Sequence, residues 1–275
     1  MKQINYLYFA IFLIMSLRST HGLSATDLAK AQTIGFYTAG CIKHSSALPR
    51  DGVGYQVIRL SRDRFYGHPE LIKFIQSLAR EAYGLYGATL LIGDLSQKNG
   101  GPMPDGHASH QIGLDADILF WQNPIAAVRP LTLAEREMIE PLSLLNPSLT
   151  GIDPTRWSPV HAKILKLASS FSDVERIFVN PVIKKRLCEM FPGEQWLEKI
   201  RPWWGHDGHF HVRLRCPDDN PLCRPQEPVT EGIGCGSELA EWLTPKRRRQ
   251  ELESRDKPTT RIVRKLPDEC LSVVY

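Results

Sequence analysis

GHASHQIGLDADILF, residues 106–120, and HDGHFHVRLRC, residues 206–216, decide how this chain is read. In the first, Leu114, Ala116 and Ile118 alternate with Asp115 and Asp117. In the second, Phe210, Val212 and Leu214 alternate with His209, His211, Arg213 and Arg215. A period of two marks a strand with one apolar and one polar face. Both strands therefore send apolar side chains into a core and aim carboxylates and imidazoles at a common cleft. Gly100, Gly101 and Gly106, with Pro102 and Pro104, make the approach to His107 a loop carried by that scaffold.

The flanking segments supply helices. Leu71, Ile72, Phe74, Ile75 and Leu78 recur at helical spacing and predict an amphipathic helix over 69–83, with His68 at its start and Pro69 and Glu70 suited to its first turn. Residues 89–92 read as an apolar strand and 161–169 as a second helix. RIFVN, 176–180, reads as a buried strand ended by Pro181, and 183–190 as a short helix carrying Cys188. Helices interspersed with short antiparallel strands indicate the α+β class: one catalytic domain with a central antiparallel sheet flanked by helices. A chain with 42% hydrophobic residues and no tandem repeat or long low-complexity linker has the material for one good core.

Residues 1–22 read as a secretory signal, with Lys2 in the n-region, an apolar run from Tyr6 to Leu17, and Thr20 and Gly22 as small residues near the cut. A cut after Ala25 is the alternative. The apolar run is short for a bilayer span, so the mature chain, 23–275, is expected to be exported without stable membrane insertion. Six cysteines agree with an oxidising compartment, although spacing alone leaves their connectivity open. From about residue 217 the chain turns rich in proline, glycine and charge, an extension expected to be tied back by Cys235 and Cys270 rather than to form a second domain.

The formal net charge is +4, and loss of Lys2 and Arg18 with the signal leaves 32 basic against 30 acidic residues. Nothing in that balance points to nucleic acid, and the basic run Lys246–Arg249 reads as a solvated face. Oligomeric state leaves no mark on the sequence.

The chemistry-bearing residues are His110 and Asp117, with His206, His209 and His211 far downstream. Two imidazoles and one carboxylate make an open zinc site, whose fourth position is left to water, whereas a structural zinc is closed by four protein ligands. Competing signals are thin. An S-x-x-K match at Ser254–Lys257 lies in a charged tail, with neither S-D-N nor K-T-G elsewhere, and no H-E-x-x-H helix is present. His44 and His161 read as ordinary polar residues. Trp203 and Trp204 suit a cleft wall or a core equally, and Asp115 suits either a ligand-orienting role or a solvated strand face.

Five ordered segments, RFYGHPELIKFIQ from Arg64, LLIGDLS from Leu90, GGPMPDGHASHQIGLDADI from Gly100, VERIFVNPVIKKRLC from Val174 and RPWWGHDGHFHVRLRCP from Arg201, carry a resemblance. The chain resembles the penicillin-insensitive murein endopeptidases, within the zinc peptidases typified by lysostaphin, D-Ala-D-Ala carboxypeptidases and hedgehog domains. The resemblance implies a hedgehog-like fold and Zn2+ held by His110, Asp117 and His211. It gives His209 a catalytic role at the attacking water or tetrahedral intermediate, and His206 a role in stabilising developing negative charge. His107 is left between a second metal ion and a hydrogen bond in the cleft; the loop 147–156 lacks the histidine that accompanies extra metal contacts in relatives. The same resemblance implies disulfides Cys41–Cys270, Cys188–Cys235 and Cys216–Cys223. The implied activity is hydrolysis of peptidoglycan cross-links in a Gram-negative periplasm, favouring the D-alanyl–meso-diaminopimelate bond. The alternative of a different class is a noncatalytic zinc-bearing domain that binds murein or a cell-surface partner.

Overall fold

A computed structural model describes residues 30–229, 231–255 and 264–274; the expected secretory signal and Lys257 lie outside them. In chain order the strands are β1 (Gln32–Phe36), β2 (Ala39–Lys43), β3 (Ser46–Ala47), β4 (Asp51–Gly52), β5 (Tyr55–Val57), β6 (Tyr66–Gly67), β7 (Leu90–Ile92), β8 (Asp115–Leu119), β9 (Val174–Val179), β10 (Ile200–Pro202) and β11 (His209–Leu214). The helices are α1 (Pro69–Tyr86), α2 (Pro124–Val128), α3 (Leu133–Met138), α4 (Pro159–Ser170), α5 (Pro181–Met190), α6 (Ser237–Trp242), α7 (Pro245–Arg255) and α8 (Asp268–Val274).

Seven strands form the main sheet in the order β10-β9-β11-β8-β7-β5-β4. Sequence reasoning expected an antiparallel sheet. The pairs β9/β11, β11/β8 and β8/β7 are antiparallel, but β10/β9 and β5/β7 are parallel, so the sheet as a whole is mixed. The reason lies in the connections. Parallel neighbours need a crossover, and α5 spans β9 to β10 as α1 spans β5 to β7.

One face of the sheet is apolar. Ala116, Ile118, Ile177, Phe210, Val212 and Leu214 meet Leu71, Ile75 and Leu78 of α1 and Ala162, Leu165 and Ala168 of α4 in the principal core. Complete burial of a leucine or isoleucine is worth roughly 1.5–3 kcal/mol, so α1 alone supplies a large share of the driving force. The helix ends follow their sequence signals. His68 caps α1, its Nδ1 accepting from the Glu70 amide at 3.3 Å, and Pro69 takes the first position.

The polar face of β8 and β11 is left for the site. A loop carries His107 and His110 to it, and Gly113 anchors that loop against the start of α1. Its φ is +72°, its carbonyl accepts from the His68 amide at 2.8 Å, and a Cβ there would stand 2.6 Å from Ile42. A side chain there would have to displace Ile42 and crowd the His68 amide from a left-handed backbone.

Beyond β11 the chain wraps back over the domain. Cys216–Cys223 closes a small loop, and Asn220 within it accepts from the Thr33 amide at 2.6 Å, binding it to the β1–β2 hairpin. Cys188–Cys235 ties the extension to α5, where the Lys184 ammonium donates to the carbonyls of Leu197 and Ile233 at 2.7 and 2.6 Å. Cys41–Cys270 fastens α8 to β2, in an apolar cluster with Ile34 and Leu266. All three pairings are those the resemblance implied. No helix among the described residues is long and apolar enough to cross a membrane.

Candidate active site

Register brings the site residues together. His211 stands directly opposite Asp117, and Arg213 opposite Asp115, across the β11/β8 pair. Opposed residues share a sheet face, so the alternation that buries Ala116 and Val212 turns both carboxylates and both cations to the other side.

Asp117 is the hub. Its Oδ1 lies 3.1 Å from His211 Nδ1 and 3.5 Å from His110 Nε2; its Oδ2 lies 3.5 Å from His107 Nδ1 and 3.6 Å from His209 Nε2. Four imidazoles thus converge on one carboxylate. Among the described residues, His107, His110 and Asp117 offer ligand atoms all within 4.8 Å of one another and can hold a metal ion. Both ring nitrogens of His110 and Oδ1 of Asp117 are buried without a hydrogen-bond partner. Buried polar atoms are seldom left so. A cation held by one His110 nitrogen and by Asp117 Oδ1 satisfies two of these atoms, and imidazole with carboxylate is a donor set suited to a borderline divalent metal.

The charges follow. Burial works against an ionised Asp117, yet the adjacent His209, His110 and His107 hold its carboxyl well below the usual carboxylate range. Burial likewise opposes a charged His211, but Asp115 and Asp117 raise it. His209 goes the other way, lowered by burial and then by the neighbouring imidazoles, against the pull of Asp117.

Two buried carboxylates brace this cluster from behind. Asp115 Oδ1 lies 3.1 Å from His211 Nε2 and accepts from Arg213 Nε at 2.8 Å, while its Oδ2 accepts from the second arm of Arg213 at 3.1 Å and from the His110 amide at 3.0 Å. That amide contact holds His110 at φ 65°, a left-handed conformation costly for a residue other than glycine. Asp115 therefore fixes His110 and His211 in place; it does not simply solvate a strand face. Asp94, in the loop after β7, pairs through Oδ2 with Arg62, Arg64 and His107 Nε2 at 3.1, 2.9 and 3.1 Å. His107 Nε2 thus pairs with Asp94 while its Nδ1 turns toward Asp117, within the group that can hold a metal ion.

His206 and His209 face each other, ring centroids 4.9 Å apart. Nδ1 of His206 lies 3.0 Å from the Trp204 carbonyl, an acceptor, which assigns the proton to Nδ1 and leaves Nε2 a free lone pair in the neutral ring. Desolvation first, then His209 and His211, push its pKa down to about 3. These histidines open onto a cavity of about 530 Å³ walled by Phe36, Phe178, Trp203 and Trp204. Both tryptophans are thus wall residues. Ser254 is elsewhere, on the exposed face of α7, where its hydroxyl donates to the Glu251 carbonyl at 2.8 Å.

The family model described as penicillin-insensitive murein endopeptidase matches residues 33–275. The chain belongs to that family. Curated relatives of that name include one from Haemophilus influenzae, 44% identical over 217 residues, covering 78% of this chain and 74% of the relative. One from Klebsiella pneumoniae is 42% identical over 246 residues, covering 86% and 88%. One from Escherichia coli is 39% identical over 274 residues, covering 96% and 97%.

Within this member of the family, His107, His110, His209 and His211 converge on Asp117. The group whose ligand atoms all lie within 4.8 Å of one another, however, is His107, His110 and Asp117, with His107 where sequence reasoning expected His211. His206 meets the cluster through ring contacts with His209 and His211. Asp94, Arg62 and Arg64 were missed. They act through space from separate loops, and the only trace in sequence is a lone aspartate closing an apolar strand in LLIGDLS.

Proposed function

We propose that this chain is an exported zinc endopeptidase of the hedgehog and D-Ala-D-Ala carboxypeptidase fold type, hydrolysing peptide cross-links of peptidoglycan in a Gram-negative periplasm. Its favoured bond is the D-alanyl–meso-diaminopimelate amide. The observation that carries this reading is Asp117 ringed by four imidazole nitrogens, with the orphaned nitrogens of His110 beside it, at the foot of an open cleft. The relatives' shared name, over nearly the full length of the chain, supplies the substrate class.

His110, Asp117 and His211 would hold the ion, with His107 steadied beside them by Asp94. When bound, zinc supplies Lewis-acid activation of the amide carbonyl and of water. The remaining work is proton traffic. His209, half-buried and kept neutral near pH 7, is free to take the proton from the attacking water and return it to the leaving amine. His206, neutral with its Nδ1 proton on the Trp204 carbonyl, presents an acceptor at Nε2 that can orient the attacking water beside His209. Phe178 and Trp203 flank the peptide and exclude water from it.

The test is purified mature protein incubated with cross-linked murein, with and without chelator and in saturating penicillin, followed by mass analysis of the fragments. Cleavage at D-alanyl–diaminopimelate bonds, abolished by chelator and indifferent to penicillin, is the expected outcome. Cleavage that survives metal removal but stops with penicillin sinks the zinc mechanism. Zinc uptake without fragment release favours the noncatalytic binding domain.

A further inference from the structure

The C-terminal extension does more than brace the domain. It brings Arg264 to the wall of the cavity that holds His206, His209 and His211. The backbone there is well anchored. Leu266 is buried with Ile34, Pro267 packs against Gly35, and Cys270 is bonded to Cys41. The side chain itself is exposed, and no carboxylate among the described residues forms an ion pair with it.

The other arginine lining the cavity is already engaged. Arg213 gives two of its donors to Asp115 and a third to Gln226 at 2.6 Å, and its guanidinium lies over the Tyr37 ring at 4.1 Å. The cleft's own carboxylates, Asp94, Asp115 and Asp117, are all turned inward to histidines or arginines. Among the described residues, Arg264 is therefore the cavity-lining arginine left to meet an anion from outside.

We propose that Arg264 is a specificity-determining residue that pairs with the substrate carboxylate adjoining the scissile bond. This rests on the function proposed above and deepens it. In an amide joining D-alanine to the distal amine of a diamino diacid, the carbon bonded to the amide nitrogen also bears a free carboxylate. An anion thus accompanies every productive placement of the bond at the histidine cluster. A guanidinium matches a carboxylate with two parallel donors, which fixes orientation as well as charge.

The experiment compares two probes with the full mature chain: a cross-linked muropeptide dimer carrying the free carboxylate, and the same dimer with that carboxylate converted to a carboxamide. The parent should prefer the acid by about tenfold in kcat/KM, the yield of one charge-assisted hydrogen bond in a wet cleft, with most of the difference in KM. Arg264→Gln should lose that preference, and Arg264→Lys should keep part of it. An undiminished preference in Arg264→Gln, or a parent with no preference, overturns the assignment. A parent that cleaves neither dimer refutes the proposed function itself, so the two failures are distinguishable.

Discussion

His209 and His211 leave one strand on one face, yet their surroundings give them different work. His211 is clamped between Asp115 and Asp117, whereas His209 touches Asp117 alone and shares the cleft with His206. His211→Ala should therefore lose tightly held metal. His209→Ala should keep its metal and fold while losing about 100-fold to 10,000-fold in murein hydrolysis, the usual worth of a positioned proton-transfer group. Metal content, circular dichroism and fragment release on one preparation separate the two; near-normal turnover in a metallated His209→Ala would refute its catalytic role. Much of this site was legible because period-two alternation assigns residues to faces before any fold is known. The bracing by Asp94 and Arg64 was not, since a pairing across 30 positions of chain leaves no periodic trace. Asp115 stood between: its face was readable, but its bond to the His110 amide requires the left-handed turn that only the folded loop reveals.

At the level of elements, two helix starts connect sequence to stability. Asn180 caps α5, its Oδ1 accepting from the Val182 amide at 2.9 Å, while its own amide donates to the His206 carbonyl at 2.7 Å. Asn180→Ala keeps the second bond and loses the first, so urea unfolding should show a loss of about 1 kcal/mol. At α4 the capping box closes with a histidine: His161 Nδ1 accepts from the Ser158 amide at 3.1 Å. Burial pushes His161 down to about 4 from an ordinary value near 6.5, against a hydrogen bond with the Phe120 backbone. The unfolded chain thus binds the proton first, and this contribution is intact above pH 6.5 and lost as pH falls toward 4. His161→Gln keeps a capping box without the titration, so relative to it the parent should lose roughly 2 kcal/mol between pH 7 and pH 5. Parallel stability curves for the two proteins would remove His161 as the cause. The long helix α1 and the core strands were readable from periodicity. The short α2 and α3 went unread, though Asn123-Pro124 and the Thr132–Glu135 box are written at their starts, because each has too few residues to show a period. Strand order, and with it the two parallel pairs, is a matter of which segments meet in space and has no local signature.

The whole molecule is a mixed sheet with α1 and α4 on one side and the histidine–aspartate cluster on the other, where α2 packs beside it, and its C-terminal extension is sewn across. The longest stitch, Cys41–Cys270, spans 229 positions, and closing so long a loop removes much of the unfolded chain's freedom. Replacing both cysteines by serine should cost about 2–5 kcal/mol in equilibrium unfolding, and the affinity of α8 for β2 should weaken enough to raise amide exchange in both. An unchanged unfolding midpoint would show that the apolar cluster around Ile34 and Leu266 suffices without the bond. The same stitch sets a demand on the cell that makes the protein. A chain emerging amino end first presents Cys41, then Cys188, long before Cys270, and oxidation in order of appearance would join the first two. Arriving at the native set calls for Cys41 to stay reduced until the last residues arrive, or for a mispaired bond to be exchanged. Hosts that oxidise without an isomerase should accordingly accumulate scrambled, inactive chains, and yield should depend on disulfide shuffling more than on expression level.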